Sequence, residues 1–207
     1  MKKTARPATP GARPARAGGP AGRVRIIGGQ YRRTPIAVIL APGLRPTPDR
    51  VRETVFNWLE HLLGGLMGGR ALDLFAGSGA LGLEMASRGA ARVVLVESNA
   101  RAAEALRGLQ RRLAASAVEV LHADWQSVVG RWAPASFDVI FLDPPFGSDV
   151  LAHALDAVRP LLAPGGLIYV ESPAPPDAAR LAQQGLELAR TGQAGVVYFH
   201  LLRARSC

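Results

Sequence analysis

Asp73-Leu74-Phe75-Ala76-Gly77-Ser78-Gly79-Ala80-Leu81-Gly82 is the stretch on which the fold turns. The apolar residues 71–75 read as a buried strand and 80–88 as a helix, so the first glycines fall in the turn between them. Gly77, Gly79 and Gly82 match G-x-G-x-x-G in the strand–turn–helix context that gives the pattern its meaning. Downstream the rhythm repeats. Strands are predicted at 92–96, 118–121, 137–142 and 167–170, and helices at 100–113, 150–158 and 177–184. Residues 186–189 and 196–202 read as a closing pair of strands. Near-continuous apolar strands alternating with helices predict an α/β fold, a largely parallel sheet covered on both faces. Ligands of such sheets bind beyond the carboxyl ends of the strands, so the residues just after each strand are the candidates.

At the first of these ends, glycines let a ligand approach the backbone closely. The strand at 92–96 runs into Glu97-Ser98, with Glu97 18 residues after Gly79. A carboxylate there suits the two ribose hydroxyls of an adenosine. The pattern alone serves a dinucleotide or S-adenosylmethionine. Asp73 tilts it to the second, because an acid before the loop suits a cationic amino acid and repels a pyrophosphate. The cofactor-binding candidates are therefore Asp73, Phe75, Ala76, Gly77, Gly79, Glu97 and Ser98. Asp124 and Trp125 follow the third strand and join them, Asp124 as an acceptor for the adenine amino group or simply as a helix cap.

The fourth strand ends in Asp143-Pro144-Pro145-Phe146. Two prolines fix the backbone and remove two N–H donors. The Asp143 carboxylate and the Pro144 carbonyl are left as acceptors, and an aromatic ring follows. A planar substrate carrying an NH₂ group fits this arrangement: acceptors grip the amino hydrogens while Phe146 stacks on the ring. Asp143, Pro144 and Phe146 are the catalytic candidates.

Upstream of the glycine stretch, apolar residues 24–27 and 35–40 flank Gly28-Gly29-Gln30-Tyr31-Arg32-Arg33, which predicts a β-hairpin with a basic tip. Thr47 is expected to cap a helix over 49–63, with Pro48 in its first turn. Residues 1–22 are Pro, Gly, Ala and basic residues, and read as a disordered arm. The division expected is 1–22 basic arm, 23–48 hairpin and loop, and 49–207 main domain. Charge follows this division. Residues 1–52 hold 12 Lys or Arg and one acid, Asp49, a net +11 within a total of +9. A basic arm on a near-neutral body predicts a polyanionic partner, most simply nucleic acid.

Taken together, these motifs resemble a known family. Asp143-Pro144-Pro145-Phe146 with residues 73–79 is similar to the amino-group class of S-adenosylmethionine-dependent methyltransferases. Residues 25–32, the stretch Gly43-Leu44-Arg45-Pro46-Thr47-Pro48-Asp49-Arg50-Val51-Arg52-Glu53-Thr54 and Tyr169-Val170-Glu171-Ser172 narrow it. The sequence resembles, over about residues 23 to 203, the bacterial 16S rRNA guanine-N2 methyltransferases of the RsmD type. The resemblance implies a Rossmann-like, seven-stranded methyltransferase sheet with an N-terminal hairpin arm. It implies S-adenosyl-L-methionine as cofactor and a guanine of 16S rRNA, in an assembled or assembling small ribosomal subunit, as substrate. Arg25, Arg32, Arg33, Arg45, Arg50 and Arg52 lie on or beside the arm and are expected to meet phosphates. A monomer without a metal is expected.

Composition excludes other classes. Apolar residues make up 48% of the 207, enough for a core. The single cysteine, Cys207, allows no internal disulfide and no cysteine-based zinc site, which fits a reducing, cytoplasmic setting. Apolar runs are strand-sized, too short to span a bilayer. The rival readings are an adenine-N6 methyltransferase, an NAD-dependent oxidoreductase, against which Asp73 and the Asp-Pro-Pro-Phe motif argue, and a non-catalytic RNA-binding protein.

Overall fold

The structure, a computed structural model, describes residues 24–38, 47–145 and 149–205. The expected disordered arm, Arg45 and Phe146 lie outside them. In chain order the elements are β1 (Val24–Arg25), β2 (Pro35–Ile36), α1 (Asp49–Leu63), β3 (Arg70–Asp73), α2 (Ala80–Ser87), β4 (Arg92–Glu97), α3 (Ala100–Leu113), β5 (Val118–His122), α4 (Trp125–Val128), β6 (Phe137–Leu142), α5 (Val150–Val158), β7 (Leu162–Ser172), α6 (Ala178–Gln183), β8 (Leu186–Ala194) and β9 (Val197–Ala204).

Seven strands form one sheet in the order β5-β4-β3-β6-β7-β9-β8. Strands β3 to β7 pair in parallel, and β9 runs antiparallel to both β7 and β8. Inward-facing residues alternate between the two faces. Ala71, Val139, Phe141, Leu167 and Tyr169 belong to a core shared with α1, α2, α3 and the hairpin. Leu72, Leu74, Ile140, Leu142, Ile168 and Val170 belong to a second core, under α4, α5 and α6. This is the three-layer solution for strands that are apolar on both sides.

Helices α1, α3 and α5 occupy the predicted residues. The closing strands and β7 are longer than their apolar runs suggest: the β8–β9 ladder continues through Arg190, Thr191 and Gln193, and β7 begins at Leu162, which pairs with Phe137 of β6. The paired strands of the hairpin are shorter than predicted, two residues each. On α1, Phe56 is fully buried and meets Phe141 at 5.9 Å between ring centroids, while Trp58, Leu62 and Leu63 are only partly covered. The expected cap is absent. Pro48 takes the N-cap position, and the Thr47 hydroxyl is used elsewhere.

The hairpin is fastened to the sheet domain through α2, all eight residues of which are buried. A helix apolar on nearly all sides belongs in an interior, and its two polar residues near the carboxyl end explain what covers it. The buried Glu84 carboxylate accepts from the backbone N–H of Ile27 (2.7 Å) and of Gly28 (2.8 Å), and from Arg88 Nε (2.9 Å). Ser87 Oγ accepts from the N–H of Tyr31 at 2.9 Å and donates to the Gly28 carbonyl at 2.5 Å, while the Ser87 carbonyl accepts from the N–H of Gln30 at 2.8 Å. Val24, Ile26 and Ile36 are buried in the same core as α1 and α2. Contact is so close at Gly29 (φ 71°) that a Cβ there would lie 1.9 Å from the Ser87 carbonyl oxygen.

Candidate active site

Parallel order brings the predicted residues together. Strands β5, β4, β3 and β6 are neighbours, so Asp124 and Trp125, Glu97 and Ser98, the stretch 73–79, and Asp143 and Pro144 all lie at one edge of the sheet. The glycine turn is tightly built. Gly79 is left-handed (φ 78°) as it opens α2, and its N–H donates to the Ala76 carbonyl at 2.6 Å. Glu97 braces the turn from the next strand: Oε2 accepts from the Gly77 N–H and Oε1 from the Asn99 N–H, both at 2.7 Å. Each oxygen keeps a lone pair for a hydroxyl, as the predicted ribose contact needs. Asp124 caps α4 through Oδ1, which accepts from the Gln126 N–H at 3.0 Å, and its side chain is exposed. Trp125 lies 6.1 Å from Phe75, centroid to centroid, giving an apolar wall beside the turn. A groove of about 310 Å³ runs behind the turn, between Ile36, Ala37 and the α3 face around Ala105, but none of the strand-end acids lines it.

Three acids sit at the ends of β3, β6 and β7. Asp73 is buried, and Oδ2 accepts from the Gly82 N–H at 3.1 Å. Burial pushes its carboxyl up to about 7, with Glu97 adding to the shift and the backbone N–H groups of Gly82 and Phe75 opposing it. Asp143 is partly buried, and its carboxylate has no hydrogen bond among the described residues. Burial, then Glu171, then Asp73 hold it well above the ordinary carboxylate range. Glu171 lies near the carboxyl end of β7 and is buried; its Oε1 accepts from the Thr47 hydroxyl at 2.7 Å and the Tyr169 hydroxyl at 2.6 Å. Burial, then Glu171 and Asp143, raise the Tyr169 hydroxyl well above its usual range, which keeps it a donor. Crowded acids with few donors are costly unless a cation or a donor-bearing ligand arrives. The donor set therefore fits S-adenosylmethionine, whose amino group and sulfonium are both cationic.

The arginines divide. Arg32, Arg33 and Arg50 are exposed and have no ion pair among the described residues. Arg25 is exposed but pairs with Asp49 at 3.0 Å. Arg52 does not fit the phosphate-contact expectation. It is completely buried, with NH2 donating to Asp49 Oδ1 at 2.6 Å and NH1 4.0 Å from Glu84 Oε2. NH1 has no hydrogen-bond partner among the described residues. The helical period explains the error: Arg52 follows Val51 and precedes Val55 on the inward face of α1, where the Glu84 charge holds it. Thr47, Glu84, Ser87 and Glu171 were missed as site or brace residues. A lone acid in the apolar run 80–87 was the available signal, since such an acid needs a partner.

A family model described as conserved hypothetical protein 95 matches residues 24–203. The chain belongs to this family. Its members include proteins of the RsmD type. The ribosomal RNA small subunit methyltransferase D of Escherichia coli K12 is 40% identical over 153 residues, covering 73% of this chain and 75% of the relative. The Haemophilus influenzae protein of the same name is 35% identical over 185 residues, covering 87% and 93%. Among solved structures, a putative methyltransferase, yhhF, from Escherichia coli superposes with a TM-score of 0.75 at 36% identity, covering 90% of this chain and all of that one. The seven-stranded sheet is the Rossmann-like methyltransferase fold of this family.

Proposed function

We propose that the protein transfers a methyl group from S-adenosyl-L-methionine to the exocyclic N2 amino group of a guanine in the 16S rRNA of the small ribosomal subunit. The observation that carries the reading is the Asp143 carboxylate, unbonded among the described residues and followed by Pro144, one strand from the glycine turn. The names of the relatives support rRNA as the substrate. S-adenosylmethionine, held by Asp73, the 75–79 turn, Glu97, Ser98, Asp124 and Trp125, supplies an electrophilic methyl group on a positively charged sulfur.

The chain's own residues position and deprotonate. A guanine must leave its stack to reach the strand ends. Asp143 and the Pro144 carbonyl accept from the amino hydrogens and turn the nitrogen lone pair to the methyl. Phe146 stacks on the base. The nitrogen sheds one proton on methylation, and Asp143 takes it, directly or through water. A carboxylate held above its usual range is the better base for this. In-line displacement needs little else from a protein than alignment and exclusion of water. Arg32, Arg33, Arg50 and Arg25, with Arg45, supply phosphate contacts for the flanking strand. The protein works as a monomer.

The test is mass spectrometry of 16S rRNA nucleosides from a strain lacking the protein, with methylation restored by the full chain and S-adenosylmethionine in vitro. Loss and return of N2-methylguanosine is expected. Loss of N6-methyladenosine instead would put the chain with the adenine enzymes.

A further inference from the structure

We infer that Glu171 reads the base: it accepts the guanine N1–H while Asp143 and Pro144 hold N2, and so decides for guanine against any purine whose N1 is an acceptor. This rests on the guanine-N2 reading above. Parallel pairing places Leu142 opposite Val170, so Asp143 and Glu171, the next residues, stand side by side on adjacent strands about 4.8 Å apart. They face the same side. Phe141 and Tyr169, two residues earlier on each strand, both enter the core under α1 and α2, and side chains repeat with a period of two.

Glu171 is also held in a way that a plain structural acid does not require. Thr47 and Tyr169 both donate to Oε1. Oε2 has no hydrogen bond among the described residues. One oxygen is anchored and the other is presented beside Asp143, whose own carboxyl feels Glu171 as its strongest neighbouring charge. Guanine presents two adjacent donors on its Watson–Crick edge, N1–H and the N2 amino group. Adenine and 2,6-diaminopurine present an amino group beside an unprotonated N1. Two adjacent acceptors match the first edge and leave an acceptor facing an acceptor on the second, which is the costly kind of mismatch. Thr47 belongs to the segment leading into α1, and Glu171 to β7, 124 residues later. The contact therefore lets the segment that follows the hairpin set the reading group.

The experiment uses the full chain and small subunits reconstituted around 16S RNA. The mapped target position carries guanine or 2,6-diaminopurine, introduced by splinted ligation. Both offer a 2-amino group, and only guanine has N1–H. Wild type is expected to prefer guanine in kcat/KM by roughly 10²-fold or more. Glu171→Gln keeps an acceptor for Thr47 and Tyr169 and can turn an N–H to an unprotonated N1. Its preference is expected to fall to within about tenfold, with activity on guanine lowered and activity on the analogue raised. Thr47→Val, which removes one of the two donors to Glu171 and leaves Tyr169 in place, is expected to narrow the preference by a smaller factor. An unchanged ratio in both variants makes Glu171 a brace and overturns the inference while leaving the methyltransferase reading intact. Wild type that methylates no guanine overturns the reading itself.

Discussion

Buried carboxylates occupy two regions of the molecule, and they are treated in opposite ways. Under the hairpin, Glu84 is surrounded: two backbone N–H groups and Arg88 donate to it, and Arg52 lies 4.0 Å away. At the strand ends, Asp73 has the Gly82 and Phe75 N–H groups, and Asp143 has no donor among the described residues. Both regions spend folding energy to take an acid out of water. Only the first recovers it within the fold. An acid satisfied internally holds structure, and one left short of donors is prepared for a ligand.

The sharpest way to break this contrast is to remove one acid from each region. Asp143→Ala should lower kcat by roughly 10²–10⁴-fold, the range for a positioned acid–base group, and leave cofactor affinity nearly unchanged. It should not lower the melting temperature, because the lost group had no donor to strand. Near wild-type single-turnover rates in this variant would sink the proposed role. Glu84→Ala should do the reverse. It strands Arg52 and two hairpin N–H groups, a loss of about 3–5 kcal/mol in urea denaturation. Activity per folded molecule should change far less than for Asp143→Ala.

Only the strand-end side of this contrast, Asp73 and Asp143, was legible in the sequence, and the limits were physical. The turn at 77–79 and the Asp-Pro-Pro segment stand out because glycine and proline act locally. Helices α1, α3 and α5 were placed by their apolar period. What could not be read were partners distant in sequence. Arg52 looked like a surface cation because its neighbours Arg50 and Arg25 are, and nothing nearby shows that Glu84 waits inside. Thr47 looked like a cap because the local rule for a threonine before a helix is a cap; its partner, Glu171, is on another strand.

Titration gives a smaller effect that sharpens the comparison. With its folded pKa raised to about 7, Asp73 binds a proton in the fold that the unfolded chain has already lost. Free protein should therefore lose stability as pH rises from about 4 to about 7 and then level off. A ligand bearing an ammonium group favours the ionised form. Affinity for S-adenosylhomocysteine should rise with pH, by up to about tenfold per unit, and flatten above about 7. Calorimetry across pH 5.5–8.5, a range chosen to bracket a pKa of about 7, checks this, and Asp73→Asn should flatten the profile. A flat wild-type profile would mean that Asp73 does not meet the cation. The smallest effects belong to the surface. Arg32→Ala and Arg33→Ala should each reduce the slope of log K for RNA against log salt by about 0.7–0.9, with the fold unchanged. An equal loss of slope for the charge-removing Arg52→Gln, measured on folded protein, would contradict its buried placement.

The hydrogen bonds of the site also set an order in time. The Gly77–Glu97 contact spans 20 residues, the Ile27–Glu84 contact 57 and the Thr47–Glu171 contact 124. Closing a longer loop costs more entropy, and a chain is made from its amino end. A nascent chain that has passed α3 already holds every residue of the glycine turn, its Glu97 brace and the hairpin dock. It lacks Asp143, Glu171 and the strand β9 that pairs with β7. Of the residues proposed to hold the cofactor, all but Asp124 and Trp125 are thus made by the end of α3, and those proposed to select and deprotonate a base come last. On that reading, a chain stopped before β6 would carry the proposed cofactor contacts and neither Asp143 nor Glu171.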